Sequence, residues 1–267
     1  MELIYRLTHY IQQEGGSCGY ACNPEDDQAA SLEVPKETEC ILTIGGDGTL
    51  IRAAQNTFGS NIPLVGINCG HLGYLCEVDA ANAFEAIDDL FADRYQIEER
   101  MMLSGAIYKT DGTKTREVQA LNDVVIRGGA GIRVIQLTVY VNGEHLYSYN
   151  CDGVIFSTPT GSTAYNLSAN GPIVDPKTNL ILLTPINPHT LTSRSIVLDP
   201  SDEIAVELMA RRSDVLERAE VSFDGNHPVE FYPGQRLTVH KAQEKTRMIQ
   251  FSNISFLERI RMKLREN

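Results

Sequence analysis

Gly45-Gly46-Asp47-Gly48-Thr49 stands between an apolar, β-branched run and a helical one. Glycines at such a junction let the backbone come close to an anion. The helix start behind them offers unpaired N–H groups and the positive end of a dipole, so phosphate is the natural ligand. Asp47 is the odd element. A carboxylate facing phosphates repels them unless a metal ion intervenes or the acid takes a proton, which points to a chemical role. The plain alternative is that Asp47 and Thr49 cap the helix that follows. Arg52, one turn on, either adds a cation near the phosphates or is a solvated helix side chain.

A second cluster runs from Ser157 to Tyr165 as STPTGSTAY and continues through Asn166, Leu167 and Ser168. Hydroxyls crowded around Pro and Gly can donate to and accept from a purine edge or a ribose. Tyr165 offers a ring to stack on a base. The alternative is a hydroxyl-rich turn that caps a short helix over 164–169. A third feature is Asn122-Asp123 inside the apolar stretch 121–126, where adjacent side chains point to opposite faces of a strand. An amide there can pair with a base edge and a carboxylate can accept from ribose hydroxyls, although a strand-entry turn would read the same. Asp152-Gly153 is a similar carboxylate before a strand. The six histidines are scattered, and His189 and His227 receive no role.

The 267-residue chain allows one large domain or two modest ones. Hydrophobic residues at 42% and charged residues at 22% are globular values. With 23 Lys+Arg against 35 Asp+Glu the formal net charge is −12. Such a surface repels nucleic-acid phosphates and gains nothing from an anionic membrane, so neither partner is expected. A small nucleotide site needs only local donors and stays open to it. No apolar run approaches the length of a bilayer span, and the first residues lack the pattern of a signal peptide. The six cysteines form no CxxC pair and complete no zinc site. Reduced thiols in the cytoplasm are the expectation.

Two grammars divide the sequence. Up to about residue 98, helices alternate with strands. Leu3, Ile4, Leu7, Tyr10 and Ile11 recur at helical spacing before Gly15-Gly16; 17–22 reads as a short strand. Residues 40–44 and 62–67 read as buried strands, and 50–58 and 80–91 as helices. This predicts a Rossmann-like parallel sheet with helices on its faces over 1–98. Beyond it, strand-like segments follow one another at 103–109, 117–126, 132–141, 146–157, 181–184, 203–209, 219–223 and 236–239. Turns at Asp111-Gly112, Asn142-Gly143, Asp224-Gly225 and Pro233-Gly234 separate several of them. The expectation is a β-sandwich-like domain over 99–240. A final segment, 241–267, carries an amphipathic helix over 255–264 and packs back on the first domain.

In order along the chain, these motifs resemble those of the NAD kinase family. They are GGDGT at 45–49, ND at 122–123, DG at 152–153, STPTGSTAY at 157–165, GPI at 171–173, TPINPHTL at 184–191 and FDGN at 223–226. GGDGT alone is weak, because lipid kinases and phosphofructokinases carry close versions. STPTGSTAY with the upstream ND pair is far more specific. The resemblance implies ATP- and Mg²⁺-dependent phosphorylation of the 2′-hydroxyl of the adenosine ribose of NAD, giving NADP, with NAD between the two domains.

By the same resemblance Asp47 is the base acting on that hydroxyl, with Gly46 and Gly48 in the loop beside it. Asn122 meets the adenine and Asp123 the ribose hydroxyls. Thr163, Ala164, Tyr165, Asn166, Leu167 and Ser168 belong to the adenine and ribose pocket. Asp152 lies toward the nicotinamide end, from a neighbouring subunit of a homodimer or homotetramer. Arg133 and Asn226 match ligand-contacting positions of more variable identity. No side-chain cluster reads as a dedicated Mg²⁺ cage, so the ion is expected on the nucleotide phosphates.

Two departures from the family pattern stand out. A β-strand and short basic turn usually precede the first helix. Here helical periodicity starts at residue 2, so either the true start lies upstream or the sheet lacks that edge strand, and the former is preferred. Many bacterial members also carry Arg two residues before the aspartate of the DG pair, where this chain has Asn150. That neighbourhood separates NAD from NADH in the family, so activity with NADH is expected. The rival readings are a lipid or sugar kinase sharing the glycine loop, and a non-catalytic NAD(H) sensor. The first leaves 157–168 unexplained; the second has no need of Asp47 beside a phosphate loop.

Overall fold

The computed structural model describes residues 2–19, 34–70, 73–129, 134–190, 193–210, 217–251 and 255–265. The chain forms two compact units, one from residues 1–99 together with 246–267 and one from residues 100–245.

In the first unit α1 (Glu2–Gln13) is followed by β1 (Ile41–Gly45), α2 (Asp47–Asn56), β2 (Leu64–Asn68), β3 (Val78–Asp79), α3 (Ala83–Phe91) and β4 (Gln96–Arg100). Helix α1 turns its Leu3, Leu7, Tyr10 and Ile11 stripe onto a core built around Val65, Ile67, Ala86 and Ile87. It ends where Gly15 takes φ +91°. Of the expected strand over 17–22, residues 17–19 carry no regular structure and the remainder lies outside the described residues.

The second unit contains β5 (Leu103–Tyr108), β6 (Val118–Ala120), β7 (Asp123–Gly128), β8 (Ile135–Val141), β9 (Glu144–Cys151) and β10 (Gly153–Ser157). After a 3₁₀ turn come α4 (Tyr165–Ser168), β11 (Ile181–Ile186), β12 (Ile196–Leu198), β13 (Ile204–Leu208), β14 (Ala219–Phe223), β15 (Asn226–Phe231) and β16 (Arg236–Lys241). The chain then returns to the first unit as β17 (Thr246–Gln250) and α5 (Phe256–Arg265).

Strand β17 completes the first sheet, whose order is β1-β2-β17-β4 with β3 beside β2. The pairs β1–β2, β2–β17 and β2–β3 are parallel. The second unit is a sandwich of two six-stranded sheets, β6-β5-β16-β13-β8-β9 and β12-β11-β10-β7-β14-β15. Leu103, Ile135, Leu137 and Val139 of the former meet Val124, Ile126, Val154 and Phe156 of the latter in one core. Burying each such side chain stabilises the fold by roughly 1.5–3 kcal/mol. On the outer face of the second sheet, Val125, Ile155 and Ile186 are covered by Ala169, just after α4.

Two segments that read as continuous strands are broken. Residues 117–126 split into β6 and β7, and 146–157 split into β9 and β10. In each case the first piece belongs to one sheet and the second to the other. A strand that changes sheets loses its ladder partners at the crossing, so the break falls at Leu121-Asn122 and at Asp152. Strands β4, β12, β15 and β17 lie outside the segments read from the sequence; they are short, or polar on both faces, and carry little alternation. Among the described residues no helix is long and apolar enough to cross a membrane.

Candidate functional site

The candidate residues fall in two groups, one in each unit. In the first unit β1 and β2 run side by side in parallel, and Gly45 at the end of β1 accepts a hydrogen bond from Cys69 N–H at 2.9 Å. The carboxyl ends of the two strands thus open to one crevice, the usual ligand position of a parallel sheet. Helix α2 starts at Asp47, earlier than the apolar period suggested, with Gly46 as its N-cap. Gly46 and Gly48 are exposed, and a Cβ on either would meet nothing within 4 Å. The backbone there is open to an incoming group, above helix N–H groups that have no intrahelical partner. Arg52 is exposed on α2.

Asp47 does not cap its own helix. Its Oδ2 accepts from Tyr74 N–H at 2.7 Å, and its Oδ1 from Leu75 and Cys76 N–H at 3.2 and 3.0 Å. A carboxylate offers about four acceptor positions. Three are filled by this backbone, and the Cys76 thiol also hydrogen-bonds to the carboxylate. Gly73 makes the approach possible, because a Cβ there would lie 2.0 Å from Asp47 Oδ1. Burial, and then the Asp47 charge, push the Cys76 thiol up to about 12, so it is an inert neighbour at neutral pH.

The 68–76 segment went unread in the sequence. Its signal was there: Asn68, Gly70 and Gly73 follow an apolar strand, as the glycines of 45–48 do. Asn68 closes the turn by accepting from Gly70 N–H at 3.2 Å.

In the second unit the ND pair and the hydroxyl-rich segment form one cluster. The Asn122 carbonyl accepts from Thr158 N–H at 2.8 Å and Ser157 Oγ at 3.2 Å, and the Leu121 carbonyl from Thr158 Oγ1 at 2.6 Å. Gly161 lets the chains touch, since its Cβ would stand 2.1 Å from the Asn122 oxygen. The Ser162 hydroxyl bridges Val174 N–H and C=O. The hydroxyls of Ser157, Thr158 and Ser162 are therefore engaged by the backbone of the fold, the turn-building alternative weighed for this segment.

Asn166 is likewise enclosed. Its amide donates to the Ser162 and Pro172 carbonyls and accepts from Thr184 Oγ1, so its side chain holds the turn together. Thr163, Ala164 and Leu167 are half-buried, Ser168 is exposed, and Tyr165 is 41% exposed.

Asn122 Oδ1 is buried without a hydrogen-bond partner among the described residues. Asp123 is 5% exposed, and its carboxyl is pushed up to about 7, first by burial and then by the negative charge of Asp224. Tyr165 and Ser168 line a cavity together with Ile186 and Asn187. Asn187 in turn donates to Asp152 Oδ2 at 2.9 Å, and Asn150 C=O accepts from His189 N–H at 2.8 Å. The 184–189 stretch thus ties Asn150 and Asp152 to that cavity. Asn226 is half-buried at the start of β15. Arg133 lies outside the described residues. Among the described residues, no three His, Cys, Asp or Glu side chains converge to hold a metal ion.

Residues 12–95 match the family model of the ATP-NAD kinase N-terminal domain, and residues 121–251 that of the ATP-NAD kinase C-terminal domain. The chain is 47% identical over 266 residues to the NAD kinase of Agathobacter rectalis, covering 98% of this chain and 93% of that protein. The NAD kinase of Lachnospira eligens is 40% identical over 276 residues, covering 97% and 93%. Among solved structures, yeast NADH kinase complexed with NADH superposes with a TM-score of 0.81 at 26% identity, covering 88% of this chain and 70% of that one. An Archaeoglobus fulgidus NAD kinase in complex with ATP shares the fold, with a TM-score of 0.79 at 23% identity and coverage of 99% and 95%. By its sequence and its fold, the chain belongs to the NAD kinase family.

Proposed function

We infer that this chain catalyses transfer of a phosphoryl group from ATP to the 2′-hydroxyl of the adenosine ribose of NAD, giving NADP. The observation that carries the reading is Asp47. It stands in an open glycine loop at a helix start, and three backbone N–H groups fix the orientation of its carboxylate. A ribose hydroxyl donating to that carboxylate loses its proton to Asp47 as the O–P bond forms and ADP leaves. In a loose phosphoryl-transfer transition state the nucleophile's proton is lost late, so an ordinary carboxylate suffices. N–H groups of residues 46–48, with Arg52 nearby, would neutralise charge on the transferring group.

In the same reading Asn122 recognises the adenine edge through its Oδ1, unpaired among the described residues, and Asp123 takes the ribose hydroxyls. Thr163, Ala164, Tyr165, Leu167 and Ser168 shape the pocket, Asn166 holds their turn, and Asp152 serves the nicotinamide end. Arg133 and Asn226 are retained as contacts. Mg²⁺ would shield the phosphate charge; with no protein cage among the described residues, it would ride on the phosphate oxygens. A homodimer or homotetramer in the cytoplasm completes the proposal, and sedimentation of the purified protein tests the assembly.

Incubating the protein with NAD, ATP and Mg²⁺ and measuring NADP is the direct test. NADP formation excludes a non-catalytic sensor and a lipid or sugar kinase; its absence overturns the reading. Replacing ATP by polyphosphate identifies the donor. Activity with NADH follows from the uncharged Asn150, and comparing kcat/KM for NAD and NADH before and after Asn150→Arg tests it.

A further inference from the structure

We propose that Asp224 is the positioning residue of the nucleotide-recognition pair Asn122-Asp123, holding both side chains in place through their backbone. The proposal rests on reading this site as the NAD site. The Asp224 carboxylate accepts from three consecutive N–H groups, Leu121 at 2.8 Å, Asn122 at 2.7 Å and Asp123 at 3.0 Å. Asp224 N–H returns a bond to the Asp123 carbonyl at 2.9 Å. These are the N–H groups that lose their ladder as the chain crosses from β6 to β7. Buried N–H groups demand an acceptor, and leaving them unpaired is costly.

The turn that presents Asp224 is built for it. Asp224 has φ +51° and Gly225 φ +72°, a pair of left-handed residues between β14 and β15. Aspartate tolerates this conformation, and a hairpin turn needs nothing more of it. Its reach to three N–H groups more than 100 residues earlier is an additional task.

The opposite side of the dipeptide is gripped by Ser157 and Thr158, which donate to the Asn122 carbonyl. With the backbone fixed from both sides, the two side chains are left for a ligand. Asn122 Oδ1 has no partner among the described residues. A slip of one residue would exchange the faces on which the amide and the carboxyl lie. Asp224 also places a negative charge beside Asp123, the charged group that acts on Asp123.

The test compares Asp224→Asn with the full-length wild type. An amide has one acceptor atom where three N–H groups need two, and it turns an NH₂ toward a donor. The dissociation constant for NAD, measured calorimetrically, should rise roughly tenfold to a hundredfold, the scale of a small misplacement. KM for ATP should stay within a few-fold. Losing the charge should also lower the pH at which NAD affinity falls off on the acid side, because a like charge no longer disfavours the ionised Asp123. A purely structural role would not move that midpoint.

Unchanged NAD affinity, or an unchanged pH midpoint alongside equal losses for NAD and ATP, overturns the proposal. If Asp224→Asn does not fold, Gly225→Ala replaces it. That variant strains the turn and keeps the carboxylate, and the same selective but smaller loss of NAD affinity is then required. A wild type that binds NAD without forming NADP refutes the kinase reading alone, since the Asp224 comparison is read on binding. A wild type that binds no NAD overturns both.

Discussion

Arg259 and Glu77 stand 182 residues apart in the chain and 2.9 Å apart in the fold. Glu77 is almost enclosed, with its side chain 8% exposed. It also accepts from Phe251 N–H at 3.0 Å, while Arg259 donates a second bond to Gln250 at 2.7 Å. Helix α5 is thereby fastened to the residue immediately after Cys76, whose N–H holds Asp47. The returning C-terminal segment braces the backbone whose N–H groups hold the carboxylate of the proposed base.

Arg259→Met keeps an apolar stem and removes the charge from an enclosed partner. Breaking buried pairs costs about 3–5 kcal/mol; with Arg259 partly solvated, we expect about 1–3 kcal/mol in denaturant unfolding. We also expect kcat to fall roughly tenfold through looser placement of Asp47, with NAD affinity within twofold. Wild-type turnover in the variant would reduce α5 to a cover for the sheet.

Asp47→Asn should lower kcat by about 10²–10⁴-fold, the range for a lost general base. The cradle adds a second consequence. An amide turns an NH₂ toward at least one of the Tyr74, Leu75 and Cys76 N–H groups, so the variant should also melt earlier, by on the order of 1–3 kcal/mol. Steady-state kinetics with a melting curve separates the two effects. A kcat within a few-fold of wild type moves the base elsewhere, first to Asp123.

Tyr165 is 41% exposed beside the Ser168 and Asn187 cavity, so its ring contributes little to the core. Tyr165→Ala should leave the melting temperature within a few degrees and weaken NAD binding by roughly 1–3 kcal/mol, the range for stacking on a base. Calorimetric titration checks it, and equal affinity would make the ring a surface feature only.

The Asp123 carboxyl, held up to about 7 by burial and by Asp224, makes ligand-free stability depend on pH. The folded state binds this proton more tightly than the unfolded chain does. The contribution is therefore complete below the ordinary carboxylate range near pH 4 and is lost as pH rises through about 7. Asp123→Asn removes that dependence. Relative to wild type the variant should gain on the order of 1–3 kcal/mol between pH 5 and pH 8 in urea unfolding. A stability difference flat across that interval would contradict the raised carboxyl.

The layer architecture was legible in the sequence because it is written locally. Apolar spacing in 3–11 and 80–91 and β-branched runs ending at glycine announce a parallel sheet with helices. Asn142-Gly143 and Asp224-Gly225 mark hairpins because both residues of each pair take positive φ. The glycine loop at 45–49 and the ND pair were also visible, since unusual residue types interrupt apolar runs there.

Hydrogen bonds between distant segments leave no periodic trace. Tertiary structure alone decided that Asp47 is held by Tyr74, Leu75 and Cys76 rather than by its own helix. It also decided that the strands read over 117–126 and 146–157 break where they change sheets, at Asn122 and Asp152. There the ladder is lost, and polar groups must be satisfied by residues brought from elsewhere: Asp224 for the N–H groups of 121–123, and Asn187 for the Asp152 carboxylate. The density of hydroxyls over 157–162 suggested a ligand, and three of them, on Ser157, Thr158 and Ser162, bond the backbone. A buried crossing between sheets exposes backbone groups at Leu121 and Asn122 that Ser157 and Thr158 must bond, a demand that exists only once the two sheets have packed.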